Sequence, residues 1–171
     1  VSADMAKEAT DVILSACHDL GAAAFYAGEA DLFSYLFPSD PLGLFGAYQI
    51  QNAKNAVCAV LHLPGVKVTN DAIRQGLTHA KWPGRMDVLC GDPFLLVDSA
   101  HNPQGVAALK KSLETAYPNE KFLFLFGVSA DKNYDIMLST MLPLSEMFYA
   151  VAAETARALA ASQRGTRGIL V

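Results

Sequence analysis

From residue 83 onward the sequence is punctuated by short apolar runs at 93–97, 122–126 and 147–151, with helix-period segments between them. Runs of about five residues are too short for helices, so each suits a strand, the first two buried on both faces. The segment after the first run opens with Asn102 as N-cap and with Pro103 where a missing N–H costs nothing. Val106, Leu109, Leu113 and Ala116 supply its inner face before Pro118 closes it, and residues 135–142 read as a second helix. The order βαβαβ predicts an α/β fold with a parallel sheet and right-handed crossovers.

Before residue 81 the pattern differs. A helix is expected over 4–20, where Met5, Ala9, Val12, Ile13, Ala16, Cys17 and Leu20 keep the 3.6 period as one buried face and Gly21 stops it. Short segments at 22–27, 31–37 and 42–45, parted by Gly, Pro, Ser and Asp, read as strands. A helix over 48–63 carries Ile50, Ala53, Ala56, Val57, Val60 and Leu61 on one side and ends at Pro64-Gly65, with Asn52 in its first turns. Thr69 is the expected N-cap of a third, short helix bearing Ile73 and Leu77. Pro83-Gly84 breaks any helix, and the change of pattern there divides the chain into domains at 1–82 and 83–171.

Composition narrows the function. With 171 residues, 52% of them apolar, the chain can bury a core, and disorder is excluded. Only 18% are charged, against about 25% in an ordinary domain, which suggests a surface partly covered by something else. Thirteen basic and 17 acidic residues give a net charge of −4. That balance offers no footprint for nucleic acid or an anionic membrane, and the longest apolar run, 122–128, falls far short of a span. Cys17, Cys58 and Cys90 form no metal or redox spacing and sit among apolar neighbours, which fits a reducing, cytoplasmic setting. The start lacks both an initiator Met and a secretion signal and reads as the middle of something.

Most of the chemistry lies in Val97-Asp98-Ser99-Ala100-His101-Asn102-Pro103. In a parallel sheet ligands bind beyond the carboxyl ends of strands, where Asp98, Ser99 and His101 would sit, and the helix starting at Pro103 would direct its free N–H groups there. A phosphate is favoured in such a place, a carboxylate can accept from sugar hydroxyls, and a histidine can donate to phosphate or titrate near neutrality. By position alone a second account stands level: Asp98 and Asn102 cap the helix and His101 is a surface side chain. No GxSxG elbow, HExxH pair, GxxxxGK[ST] loop or GxGxxG fingerprint occurs. Taken singly, Trp82 and Arg85 read as boundary packing with a solvated charge, and Asn52 as a polar face residue.

In order, Gly46-Ala47-Tyr48-Gln49-Ile50-Gln51-Asn52-Ala53, Trp82-Pro83-Gly84-Arg85, Asp98-Ser99-Ala100-His101-Asn102-Pro103 and Asp131-Lys132-Asn133 together resemble the folylpolyglutamate synthase and dihydrofolate synthase family, relatives of the Mur ligases. The resemblance runs from about residue 22 to residue 157. It implies the end of a central ATPase domain followed by a partial Rossmann-like C-terminal domain. It also implies that Asn52 contacts the nucleotide base, Arg85 reaches from the hinge to the ATP phosphates, and Asp98 contacts the nucleotide at the ribose. His101 would be the catalytic residue close to where phosphate and incoming glutamate meet, with Ser99 and Asn102 in the same vicinity. The family's reaction is an ATP-dependent amide ligation: the pterin substrate's carboxylate is phosphorylated, and the amino group of L-glutamate attacks the acyl phosphate. Phosphoryl transfer of this kind is helped by positioning and by cations, which Arg85 supplies on domain closure.

The partners so implied are ATP, magnesium, L-glutamate and folate or dihydropteroate, acting on a monomer, with the glycine-rich ATP loop and the metal ligands expected upstream. Ser99 stands where the family more often has glycine, Tyr48 where histidine is common, and Ala156 where proline is frequent. Residues 160–171 carry no family feature, so the chain reads as a ligase incomplete at both ends and inactive alone. Two further readings are a non-catalytic Rossmann-like nucleotide-binding fragment and a Mur-type cell-wall peptide ligase, the latter disfavoured by the DSAHNP form.

Overall fold

The computed structural model describes residues 5–29, 41–151 and 169–170. Contacts divide the chain into two compact units, Val1–Pro83 and Gly84–Val171.

The first unit is helical: α1 (Lys7–Asp19), α2 (Gln49–Leu61) and α3 (Asn70–His79). Helix α1 stops at Gly21, whose φ of 61° suits a residue without a Cβ. None of its residues is buried, so the expected buried face is not formed; Val12 and Leu14 are exposed. The core lies instead between α2 and α3, where Ala53, Val57 and Ile73 are buried and Leu42, Val60, Val68 and Leu77 pack around them. Thr69 caps α3, accepting from the Ala72 N–H at 3.2 Å. Gly43 donates its N–H to the Leu77 carbonyl at 2.8 Å. A Cβ there would lie 2.5 Å from the Ala80 carbonyl oxygen, so only glycine lets the chain cross the end of α3 this closely.

The strands expected at 22–27 and 42–45 are not formed. Tyr26 makes an isolated bridge, a 3₁₀ turn follows at Ala27–Glu29, and 42–45 is a bent connection. Apolar composition fits a strand but does not supply a neighbour, and the described residues of this unit contain no sheet to join. The expectation for 31–37 lies outside the described residues.

The second unit runs β1 (Asp87–Gly91), β2 (Phe94–Val97), α4 (Pro103–Ala116), β3 (Phe122–Phe126), α5 (Tyr134–Met141), β4 (Ser145–Ala150) and β5 (Ile169–Leu170). Strands β3, β4 and β5 form a parallel sheet in that order, so the α/β class and parallel sheet expected from the alternation are present. Strand β2 is a correction, because it pairs antiparallel with β1 in a hairpin whose register shifts at a bulge between Val88 and Cys90. It is not buried on both faces either, since Phe94, Leu95 and Val97 are exposed. Strand β3 is likewise one-sided: Leu123 and Leu125 are exposed, whereas Phe124 and Phe126 stack on buried Phe148 with ring centroids 5.3 and 5.5 Å apart.

Helices α4 and α5 pack together and bury Val106, Leu113, Met137 and Met141. Met137 is fully buried. Met137→Ala should therefore remove about 2–5 kcal/mol from the second unit through lost transfer energy and the cavity left behind, read as a lower urea midpoint at unchanged slope.

Candidate functional site

The site in the second unit is assembled by the β1–β2 hairpin. Pairing of Asp87 with Val97 makes the residues just before β1 run alongside those just after β2, so Arg85 and Asp98 become neighbours although thirteen positions separate them. The Ser99 N–H donates to the Gly84 carbonyl at 2.9 Å. Asp98 then ties the loops together with its side chain: Oδ2 accepts from the Met86 N–H at 2.9 Å and Oδ1 from the Ala100 N–H at 2.8 Å. On the other side of Arg85, the Gly84 N–H donates to Asp87 Oδ2 at 3.1 Å.

Arg85 itself is half-buried, and among the described residues its guanidinium has no hydrogen bond or ion pair. The loop beneath it is held at several points while its own charge stays available to an anion. His101 is exposed, and its Nδ1 lies 3.0 Å from the Ser99 carbonyl. A carbonyl can only accept, so Nδ1 carries the proton, and in the neutral imidazole Nε2 is left as an open acceptor. Asn102 caps α4 through Oδ1, which accepts from the Gly105 N–H at 2.7 Å. Pro103 has no N–H and the Val106 N–H makes the first helical bond to the Asn102 carbonyl, so the amides of Asn102 and Gln104 remain without partners among the described residues at this positive helix end.

The structure thus groups Arg85, Asp98, Ser99, His101 and Asn102. Asn52 belongs to the first unit, on the exposed side of α2, and its Nδ2 donates to Oε1 of buried Gln49 at 2.8 Å. Both amides line an otherwise apolar groove of about 350 Å³ between α2 and α3, walled by Ala53, Ala72, Ile73 and Gly76. Asp131-Lys132-Asn133 follows β3, with the Lys132 ammonium 3.2 Å from the Asp131 carboxylate and the Lys132 N–H on the Ser129 carbonyl at 3.1 Å. Sequence reasoning missed Gly84, Met86 and Asp87 as parts of the site. The available signal was a glycine three residues ahead of an aspartate at a strand entry, the spacing of a side-chain-closed turn.

Among the described residues no three His, Cys, Asp or Glu side chains gather into a cluster that could hold a metal ion. Without such a cluster the described residues form no protein cage for a magnesium ion. No helix among the described residues is long and apolar enough to cross a membrane.

A hairpin brings an arginine and an aspartate together, and a capped helix follows them in the chain. Residues 84–168 match the family model of the Mur ligase, glutamate ligase domain, and the chain carries this domain of the Mur ligase family. Within that family it is similar to folylpolyglutamate and dihydrofolate synthases. It is 31% identical over 101 residues to the dihydrofolate synthase/folylpolyglutamate synthase of Bacillus subtilis, covering 57% of this chain and 24% of that protein. It is 35% identical over 98 residues to the probable bifunctional folylpolyglutamate synthase/dihydropteroate synthase of Halobacterium salinarum, covering 57% and 12%. In fold it matches the Mycobacterium tuberculosis folylpolyglutamate synthase complexed with ADP, with a TM-score of 0.84 at 22% identity, over 98% of this chain and 43% of that one. The chain spans less than half the length of each of these relatives.

Proposed function

We propose that this chain supplies the C-terminal part of an ATP-dependent ligase that joins L-glutamate to folate or dihydropteroate. The observation that carries the reading is Arg85, without a partner among the described residues, on a loop that Asp98 holds at Met86 within a glutamate ligase domain. ATP gives its γ-phosphoryl group to the pterin substrate's carboxylate, leaving ADP and an acyl phosphate. The amine of glutamate then attacks the acyl carbon, and the amide forms as inorganic phosphate leaves.

Each residue has a part in this. Arg85 spreads its charge over the transferring phosphoryl group. Asp98 contacts the ribose through its carboxylate, an acceptor for sugar hydroxyls. His101 lies beside the phosphate and the incoming glutamate, where open Nε2 can receive the amine's proton. Ser99 and Asn102 line the same place with the free amides at the start of α4. In the first unit Asn52 meets the nucleotide base. Residues 1–82 are the end of a central ATPase domain and 83–171 its C-terminal partner, working in the cytoplasm as a monomer, with magnesium held by residues outside those described.

The test is ADP release by a fusion that places the N-terminal part of the Bacillus subtilis synthase ahead of this chain. Turnover should require ATP, glutamate and either folate monoglutamate or dihydropteroate together. ADP release that ignores both pterins and responds to a nucleotide-sugar peptide would make the chain a cell-wall ligase instead. The 171-residue chain alone should release none.

A further inference from the structure

Arg85 lies between two residues in left-handed backbone: Gly84 at φ 71° and Met86 at φ 48°. Glycine adopts this region freely, whereas methionine does so at a cost, because its Cβ crowds the carbonyl oxygen. Such a conformation persists only where its surroundings over-determine it. Here they do: the Met86 side chain is 2% exposed and its N–H is taken by Asp98 Oδ2.

The other end of the arginine depends on Asp87. Its Oδ2 accepts the Gly84 N–H at 3.1 Å and closes a tight turn around Arg85. A carboxylate two residues from an arginine would ordinarily neutralise it, but among the described residues Asp87 makes no ion pair. One of its oxygens accepts a backbone N–H, and among the described residues neither oxygen pairs with the guanidinium.

We propose that Asp87 is a positioning residue for Arg85, acting with buried Met86 to fix the arginine's backbone so that its guanidinium is presented in one place. This rests on the reading of Arg85 given above. Asp87 touches no reacting atom; it works by preventing the small displacements that make phosphoryl transfer inefficient.

The experiment is a double-mutant cycle in the ligase fusion. Asp87→Ala should lower kcat about tenfold with KM for glutamate little changed, and Asp87→Asn, which keeps an acceptor oxygen for the Gly84 N–H, should recover most of that loss. In an Arg85→Ala background Asp87→Ala should cost nothing further, because it acts through the arginine. An equal loss in both backgrounds, or an unchanged kcat for Asp87→Ala, would overturn the proposal. Should Asp87→Ala fail to fold, Met86→Gly runs the same cycle, since glycine accepts the φ but gives up the buried anchor. Failure of the underlying reading would look different: Arg85→Ala alone would turn over at the unsubstituted rate.

Discussion

Arg85→Ala lowers turnover of the ligase fusion by about a thousandfold, near 4 kcal/mol of transition-state stabilisation, while leaving the urea midpoint of the second unit in place. The size follows from what an arginine does for a charge-spread phosphoryl group in a site closed to water: it supplies a fixed cation with donors matched to phosphate oxygens. The unmoved stability follows from the structure. The guanidinium makes no hydrogen bond or ion pair among the described residues, so truncating it removes no native contact beyond its stem, and surface changes of that kind stay within about 0.5 kcal/mol. Arg85→Lys should recover only part of the rate, because an ammonium keeps the charge but not the two-pronged geometry. Steady-state ADP release and a urea titration on the same preparations check both halves. A variant as fast as the unsubstituted fusion would sink the assigned role.

Asp98→Ala is the second large effect, and it differs in kind. Its carboxylate holds two backbone amides, Met86 and Ala100, at 2.9 and 2.8 Å. Hydrogen bonds to a charged acceptor each contribute about 1.5–3 kcal/mol, and partial exposure of Asp98 reduces what two of them deliver. We expect a loss of about 2 kcal/mol in the second unit together with at least a hundredfold fall in turnover, since the loop carrying Arg85 is released as well. Asp98→Asn should fall between, because an amide presents one acceptor oxygen where two are used. The coupled loss of stability and rate is the signature. An unchanged urea curve would mean that the two amides find water at no cost and that Asp98 serves the ligand alone.

These two variants mark where local reading of the sequence stops. The caps were legible because a cap is a bond to a residue three positions away: Thr69 and Asn102 each satisfy an amide of their own first turn. Helices α2 and α4 were legible from periodicity, since each turns one apolar face to a neighbour. Helix α1 kept the same periodicity without burying a residue, because a period shows which face is apolar and not whether anything lies against it. The apolar runs at 93–97 and 122–126 were legible as strands, but their twofold burial was not, for the same reason. Asp98 shows this most clearly. From position it was equally a helix-capping or a ligand-facing carboxylate; in the fold it is a bracket between two loops.

By itself the sequence determined the α/β alternation and the ends of its helices, because each of these depends on interactions a few residues long. Only the tertiary structure decided that Arg85 and Asp98 are neighbours. That follows from the register of the β1–β2 hairpin, bulge included, which is a pairing choice between distant residues that no local pattern encodes. The same register sets Asp98 on the Met86 amide, while Arg85 makes no hydrogen bond or ion pair among the described residues.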